Sequence, residues 1–66
     1  MRKNLKLFRV EQDLTQTDMA TIMGCSVSLY SMVECGKRNG TQSFWMKMKD
    51  VFSLSENKIE NLRIDK

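Results

Sequence analysis

The chain contains no proline and no histidine, only three glycines and only two cysteines. Without proline, no helix is interrupted by a missing N–H, and the few glycines leave few cheap breaks in the backbone. Without histidine there is no imidazole to act as a general base or to bind a metal ion. Cys25 and Cys35 stand ten positions apart, which along a helical path is a separation of about 15 Å. A disulfide needs Cα atoms within about 7 Å, so the sequence predicts no bridge between them. Two cysteines without histidine also make a poor zinc site. They read as reduced, small apolar residues. No apolar run approaches the roughly 18 residues of a membrane span. The early stretch Leu5-Lys6-Leu7-Phe8-Arg9 is too charged for an export signal, so the expected location is the cytoplasm, of a bacterium or its phage.

What is present describes one small globular domain over residues 1–66. The apolar fraction of 41% is a folded-protein level, too high for a disordered chain. A core of this size yields a net stability of only about 3–5 kcal/mol. Lys and Arg outnumber Asp and Glu by 11 to 8, a net charge of +3. That balance permits a nucleic-acid partner without demanding one. There is no nucleophile–base pair, no glycine-rich phosphate loop and no carboxylate cluster. The sequence therefore excludes an enzyme on the usual plans and calls for no cofactor. A core this small cannot enclose a ligand cavity of the usual ~300–1,000 Å³.

Punctuation divides the chain into five short helices, an all-α fold. The first covers about 3–12, with Leu5, Phe8 and Gln12 on one side. Asp13 ends it, since Asp tolerates the left-handed backbone of a helix stop. Thr15 caps a second helix over about 16–23, with Asp18 three positions on. Met19, Ala20 and Met23 share one face of it. Gly24 closes this helix, Ser26 caps a third over about 27–35, and Gly36 stops that one. Two helices of about two turns, separated by a three-residue turn opened by glycine, outline a helix-turn-helix. A basic loop, Lys37-Arg38-Asn39-Gly40, follows. Thr41 caps a fourth helix to about 52, with Phe44, Met48, Val51 and Phe52 at helical spacing. Ser55 caps a last helix over about 56–62, and the tail from Arg63 onward is expected to fray.

The ordered stretch Leu14-Thr15-Gln16-Thr17-Asp18-Met19-Ala20, Met23-Gly24-Cys25-Ser26 and Tyr30 to Arg38, the latter including Glu34-Cys35-Gly36-Lys37-Arg38, resembles the Cro/repressor family of helix-turn-helix regulators. The match runs without a gap from Leu5 to about Leu62. The resemblance implies a lambda-repressor-like bundle. It implies a double-stranded DNA operator as partner and a repressor as the commonest role. The major groove, about 12 Å wide, admits one helix, and the third helix is the one the family presents there. Tyr30 and Val33 fit its inward face. Val27, Ser28, Ser31 and Met32 fall at the base-reading positions. Gln16, at the start of the second helix, and Lys37 and Arg38, just after the third, take positions that contact the DNA backbone. Arg9 and Glu34 take positions the family brings together as an ion pair.

The presumed reading surface departs from the family in being apolar. Val27, Leu29 and Met32 stand where Arg, Gln, Thr or Asn are common, and direct readout of purines favours those polar groups. Val27 and Met32 can pack on a thymine methyl, which suggests weak base discrimination or recognition through DNA shape. Leu7, Val10 and Ile22 are apolar where relatives carry polar residues, and Leu7 and Val10 share a helix face. That feature keeps a second function open, a helix-turn-helix that binds another protein. One short helix reads too few base pairs to select an operator alone. A homodimer is therefore expected, and Leu54, Ile59 and Leu62 in the C-terminal third are its expected contact residues.

Overall fold

Helix ends in this chain fall where a side chain or a left-handed residue can close them. The computed structural model describes residues 1–64 and contains α1 (Lys3–Glu11), α2 (Gln16–Met23), α3 (Val27–Cys35), α4 (Gln42–Phe52) and α5 (Glu56–Ile64). Thr15 closes a complete capping box at the start of α2. Its hydroxyl accepts from the Asp18 N–H at 3.0 Å, and the Asp18 carboxylate accepts from the Thr15 N–H at 3.0 Å. The Thr15 N–H first, and then the Thr15 hydroxyl, hold the Asp18 carboxyl below its usual pKa. Ser26, Thr41 and Ser55 accept from the N–H groups of Leu29, Phe44 and Lys58 at 3.0, 3.1 and 3.1 Å. Such hydroxyls satisfy donors that a helix start otherwise leaves open. Gly24 and Gly36 close α2 and α3 in the left-handed region, with φ of 70° and 85°. Asp13 has φ of 63° at the end of α1, as its side-chain chemistry predicts.

The five helices form an all-α bundle in which α2 packs most closely on α3, while α5 packs across α1 and α4. The core joins Leu5 and Phe8 of α1, Met19, Ala20 and Met23 of α2, Tyr30 and Val33 of α3, Trp45 and Met48 of α4, and Ile59 and Leu62 of α5. Phe8 meets Phe52 edge-to-face with ring centroids 5.1 Å apart, and Phe44 meets Trp45 at 5.0 Å. No helix among the described residues is long and apolar enough to cross a membrane.

Four details differ from the sequence-based expectation. First, α1 stops at Glu11, and Gln12 is exposed instead of lying beside Leu5 and Phe8. Its N–H is drawn into the helix end by the carbonyls of Phe8 and Arg9. Second, the buried stripe of α4 runs through Trp45, Met48 and Phe52, with Val51 turned to solvent. The indole is placed inward because its Nε1–H donates to the Asn39 carbonyl at 2.9 Å. Third, α5 continues through Ile64, so Arg63 is helical; of the expected tail, Asp65 and Lys66 lie outside the described residues. Fourth, Leu62 is fully buried, Ile59 nearly so, and Leu54 packs half-buried against the same core. A terminal helix docked on two others needs these side chains for its own attachment, so they leave little apolar surface for a second copy.

Candidate nucleic-acid interface

The capped turn between α2 and α3 sets the geometry of the site. Left-handed Gly24 reverses the chain, its N–H and that of Cys25 donate to the Thr21 and Ala20 carbonyls at the end of α2, and Ser26 starts α3 two residues later. At about 100° per residue, Leu29, Tyr30, Val33 and Glu34 face the domain. Val27, Ser28, Ser31 and Met32 fall within a complementary arc of about 140°. Burial follows that division: Tyr30, Val33 and Glu34 are buried, Val27 and Ser28 are exposed, and Ser31 and Met32 are half-buried. Cys25 is half-buried and Cys35 exposed, and both are free thiols. Burial pushes the Cys25 thiol up, with nearby Lys47 opposing it.

The loop after α3 folds back on the helix it leaves. The N–H groups of Lys37 and Arg38 both donate to the Met32 carbonyl, at 2.9 and 3.2 Å. The two side chains stay exposed. They line one groove with Lys47 of α4, floored by Leu29, Val33 and Phe44. Three cations therefore line the groove between α3 and α4.

Behind α3, Arg9 and Glu34 form a two-pronged pair. Arg9 Nε donates to Glu34 at 2.9 Å and Nη2 at 3.4 Å, while Nη1 donates to the Leu14 carbonyl at 2.7 Å. The Glu34 side chain is only 2% exposed. Burial alone would raise its pKa, but hydrogen bonding and the adjacent Arg9 charge outweigh burial and hold the carboxyl below its usual value. The Arg9 guanidinium is correspondingly pushed up, chiefly by the same hydrogen bond. The Tyr30 hydroxyl is buried against this pair without a hydrogen bond of ordinary geometry. Burial first, then the Glu34 carboxylate, drive its pKa far upward. The pair ties α1 to the end of α3 and so fixes the roll of the helix that carries the exposed arc.

A family model described as helix-turn-helix matches residues 5–61. The chain belongs to the helix-turn-helix family. No curated protein and no solved structure matches it. Helix-turn-helix proteins are DNA-binding regulators, not enzymes, and membership places this chain in that general function.

The sequence-predicted DNA-contact residues of this helix-turn-helix protein lie on α3, at the start of α2 and in the loop after α3. Gln16 is the exception in its contacts. Its Nε2 donates to Glu34 at 3.2 Å, so it belongs to the ion-pair network as well as to the start of α2. An amide nitrogen carries two hydrogens, and the second remains for another acceptor. Sequence reasoning missed Lys47 and Arg2. Lys47 sits on the outer face of α4, and no local motif marks it; only the packing of α4 beside the α2–α3 turn puts its Nζ 3.2 Å from where a Cβ on Gly24 would lie. Arg2 is buried and reaches four elements of the chain, none near it in sequence.

Proposed function

We propose that this chain is a sequence-specific transcriptional regulator, a repressor that occupies an operator by laying the N-terminal half of α3 in the major groove. The observation that carries this reading is that α3 turns Val27 and Ser28 to solvent, with Ser31 and Met32 half-buried on the same arc, while the exposed cations Lys37 and Arg38 follow α3 and line a groove with Lys47. Lys37 and Arg38, with Lys47 added, bind phosphates and supply affinity without reading sequence. Gln16 contributes its second amide hydrogen to a phosphate near the start of α2. Ser28 and Ser31 bond base edges, while Val27 and Met32 pack on thymine methyl groups. With so few bidentate groups, much of the selectivity comes from DNA shape.

Two copies act together on a roughly palindromic site. The domain measures 26 × 23 × 22 Å between Cα atoms. Two domains of this size side by side are of the right dimension to span half-sites about 34–36 Å apart, one DNA turn. Because Ile59 and Leu62 are committed to the core, the apolar surface left in the C-terminal third is Met46, Val51 and Ile64, 57%, 47% and 58% exposed. A cytoplasmic setting follows from a DNA partner. A second reading, a module that binds another protein, is favoured by one observation: Leu7 and Val10 are 59% and 54% exposed on the same face of α1.

Selection of bound fragments from random duplex DNA, repeated at several salt concentrations, tests the proposal. The expected result is an enriched two-fold sequence with half-sites about one turn apart. Sedimentation of the complex with an intact and a half site reads the stoichiometry. Binding with no enriched sequence, or one copy bound as tightly to a half site as to the whole, favours the second reading.

A further inference from the structure

We propose that Arg2 is a positioning residue for DNA binding, holding the Lys37–Arg38 loop against the C-terminal end of α3. The inference rests on the DNA-binding reading above, but the holding role has its own observable.

Arg2 is only 7% exposed. Its guanidinium Nε donates to the Arg63 carbonyl at 2.8 Å, and Nη1 donates to the carbonyls of Val33 and Arg38 at 2.5 and 2.9 Å. Nη2 reaches Asn39 Oδ1 at 3.5 Å. The Arg2 backbone N–H donates to the Glu34 carbonyl at 2.8 Å. The guanidinium also lies 5.6 Å from the centroid of the Trp45 ring. Val33, Glu34 and Arg63 carry carbonyls from the last turns of α3 and α5, which a helix leaves short of its own donors, the Val33 carbonyl also accepting from the Gly36 N–H at 3.1 Å. The negative ends of two helices and an aromatic face thus surround one cation. Among the described residues no carboxylate pairs with it, and burial first, then the like charge of Arg63, hold its pKa below the ordinary arginine value.

Only arginine can make this set of contacts. Its planar fork offers five N–H donors in fixed directions, whereas lysine offers three from a single point. A buried cation that no described carboxylate pairs with is weak as a stabilising device. Its geometric effect is specific. The inner edge of the loop is tied to α3 through the Met32 carbonyl. Its outer edge, the Arg38 carbonyl and Asn39, is tied by Arg2 and by the Trp45 indole. Removing Arg2 leaves the exposed side chains of Lys37 and Arg38 chemically intact but frees the backbone that aims them.

The test is a double-mutant cycle on affinity for a pool of random-sequence duplexes. Arg2→Met and Arg2→Lys are each made in the native chain and in a chain carrying Lys37→Ala and Arg38→Ala. Arg2→Met is expected to weaken duplex binding about ten-fold in the native chain but less than about two-fold when the loop cations are absent, because interacting residues are not additive. Arg2→Lys is expected to fall between, since it keeps the charge and loses the fork. The same factor in both backgrounds would overturn the proposal. Amide hydrogen exchange supplies a readout that does not involve DNA. In Arg2→Met, or in Arg2→Lys should the first variant not fold, the amides of Lys37 and Arg38 are expected to exchange about ten-fold faster relative to those of α2. Uniform acceleration, or none, overturns the holding role. If the native chain shows no salt-dependent duplex binding, the DNA reading fails, and the exchange result still decides what Arg2 does.

Discussion

Replacing Glu34 with alanine is expected to be among the most damaging single changes this domain can receive. The carboxylate is 2% exposed and accepts from Arg9 at 2.9 and 3.4 Å and from Gln16 at 3.2 Å. Its loss leaves the Arg9 guanidinium, 12% exposed, with only the Leu14 carbonyl. Removing one partner of a buried ion pair costs about 3–5 kcal/mol, since the remaining charge is uncompensated. That equals the roughly 3–5 kcal/mol expected for the whole domain. At about 4–8 °C per kcal/mol for a domain of this size, the melting temperature falls by at least about 12 °C. Replacing both residues, Arg9→Met with Glu34→Leu, removes the lone charge and is expected to cost only about 1–2 kcal/mol, chiefly from the bonds Gln16 and Leu14 lose. Urea unfolding followed by the fluorescence of Trp45, the single tryptophan, measures all corners of the cycle. Additive effects of the two single changes, or a Glu34→Ala cost below about 1 kcal/mol, would refute the reasoning.

The remaining predictions concern pH, salt and backbone strain. Glu34 has a folded pKa below its unfolded value, so it contributes stability above the unfolded carboxyl range, near pH 4.3. That contribution is expected to disappear as pH falls below this range and through the folded pKa; acid titration of unfolding should show it, and Arg9→Met with Glu34→Leu should flatten the curve. Lys37→Ala and Arg38→Ala are each expected to weaken binding to every duplex and to reduce the salt slope by about one unit. Unchanged slopes in filter binding would remove the loop from the interface. Ser53 closes α4 in the left-handed region with φ of 53°, where glycine carries no Cβ penalty. Ser53→Gly is expected to stabilise by about 1 kcal/mol in thermal unfolding, and a loss of stability would show that the Ser53 side chain makes a compensating contact.

Local chemistry made the helix-turn-helix legible. Thr15, Gly24, Ser26, Gly36 and Thr41 each act on backbone groups within about one turn of themselves, so their roles can be read from neighbours in sequence. The assignment of Arg9 to Glu34 came from the family resemblance, since nothing local joins positions 25 residues apart. Arg2 carried no signal at all. Its acceptors lie 31, 36 and 61 positions away, and a basic residue near a helix start reads as solvated until the fold closes over it. Periodicity in α4 misplaced Val51 and overlooked Trp45 because two stripes one residue apart are nearly equally apolar there. The indole hydrogen bond to Asn39 decides between them, and it depends on the loop. Leu54, Ile59 and Leu62 read from the sequence as surplus apolar residues available to a second copy. What the sequence could not show was that docking α5 on α1 and α4 would consume that surface.

The central claim, that the exposed arc of α3 and the basic loop meet DNA, is tested most directly by amide NMR during titration with a selected duplex. The account predicts that the signals shifting most are those of Val27 to Met32, Lys37, Arg38 and the start of α2 at Gln16, with Lys47 nearby. Signals of Leu7 and Val10 on α1 should stay in place. Shifts concentrated on α1, or none at low salt, would contradict it.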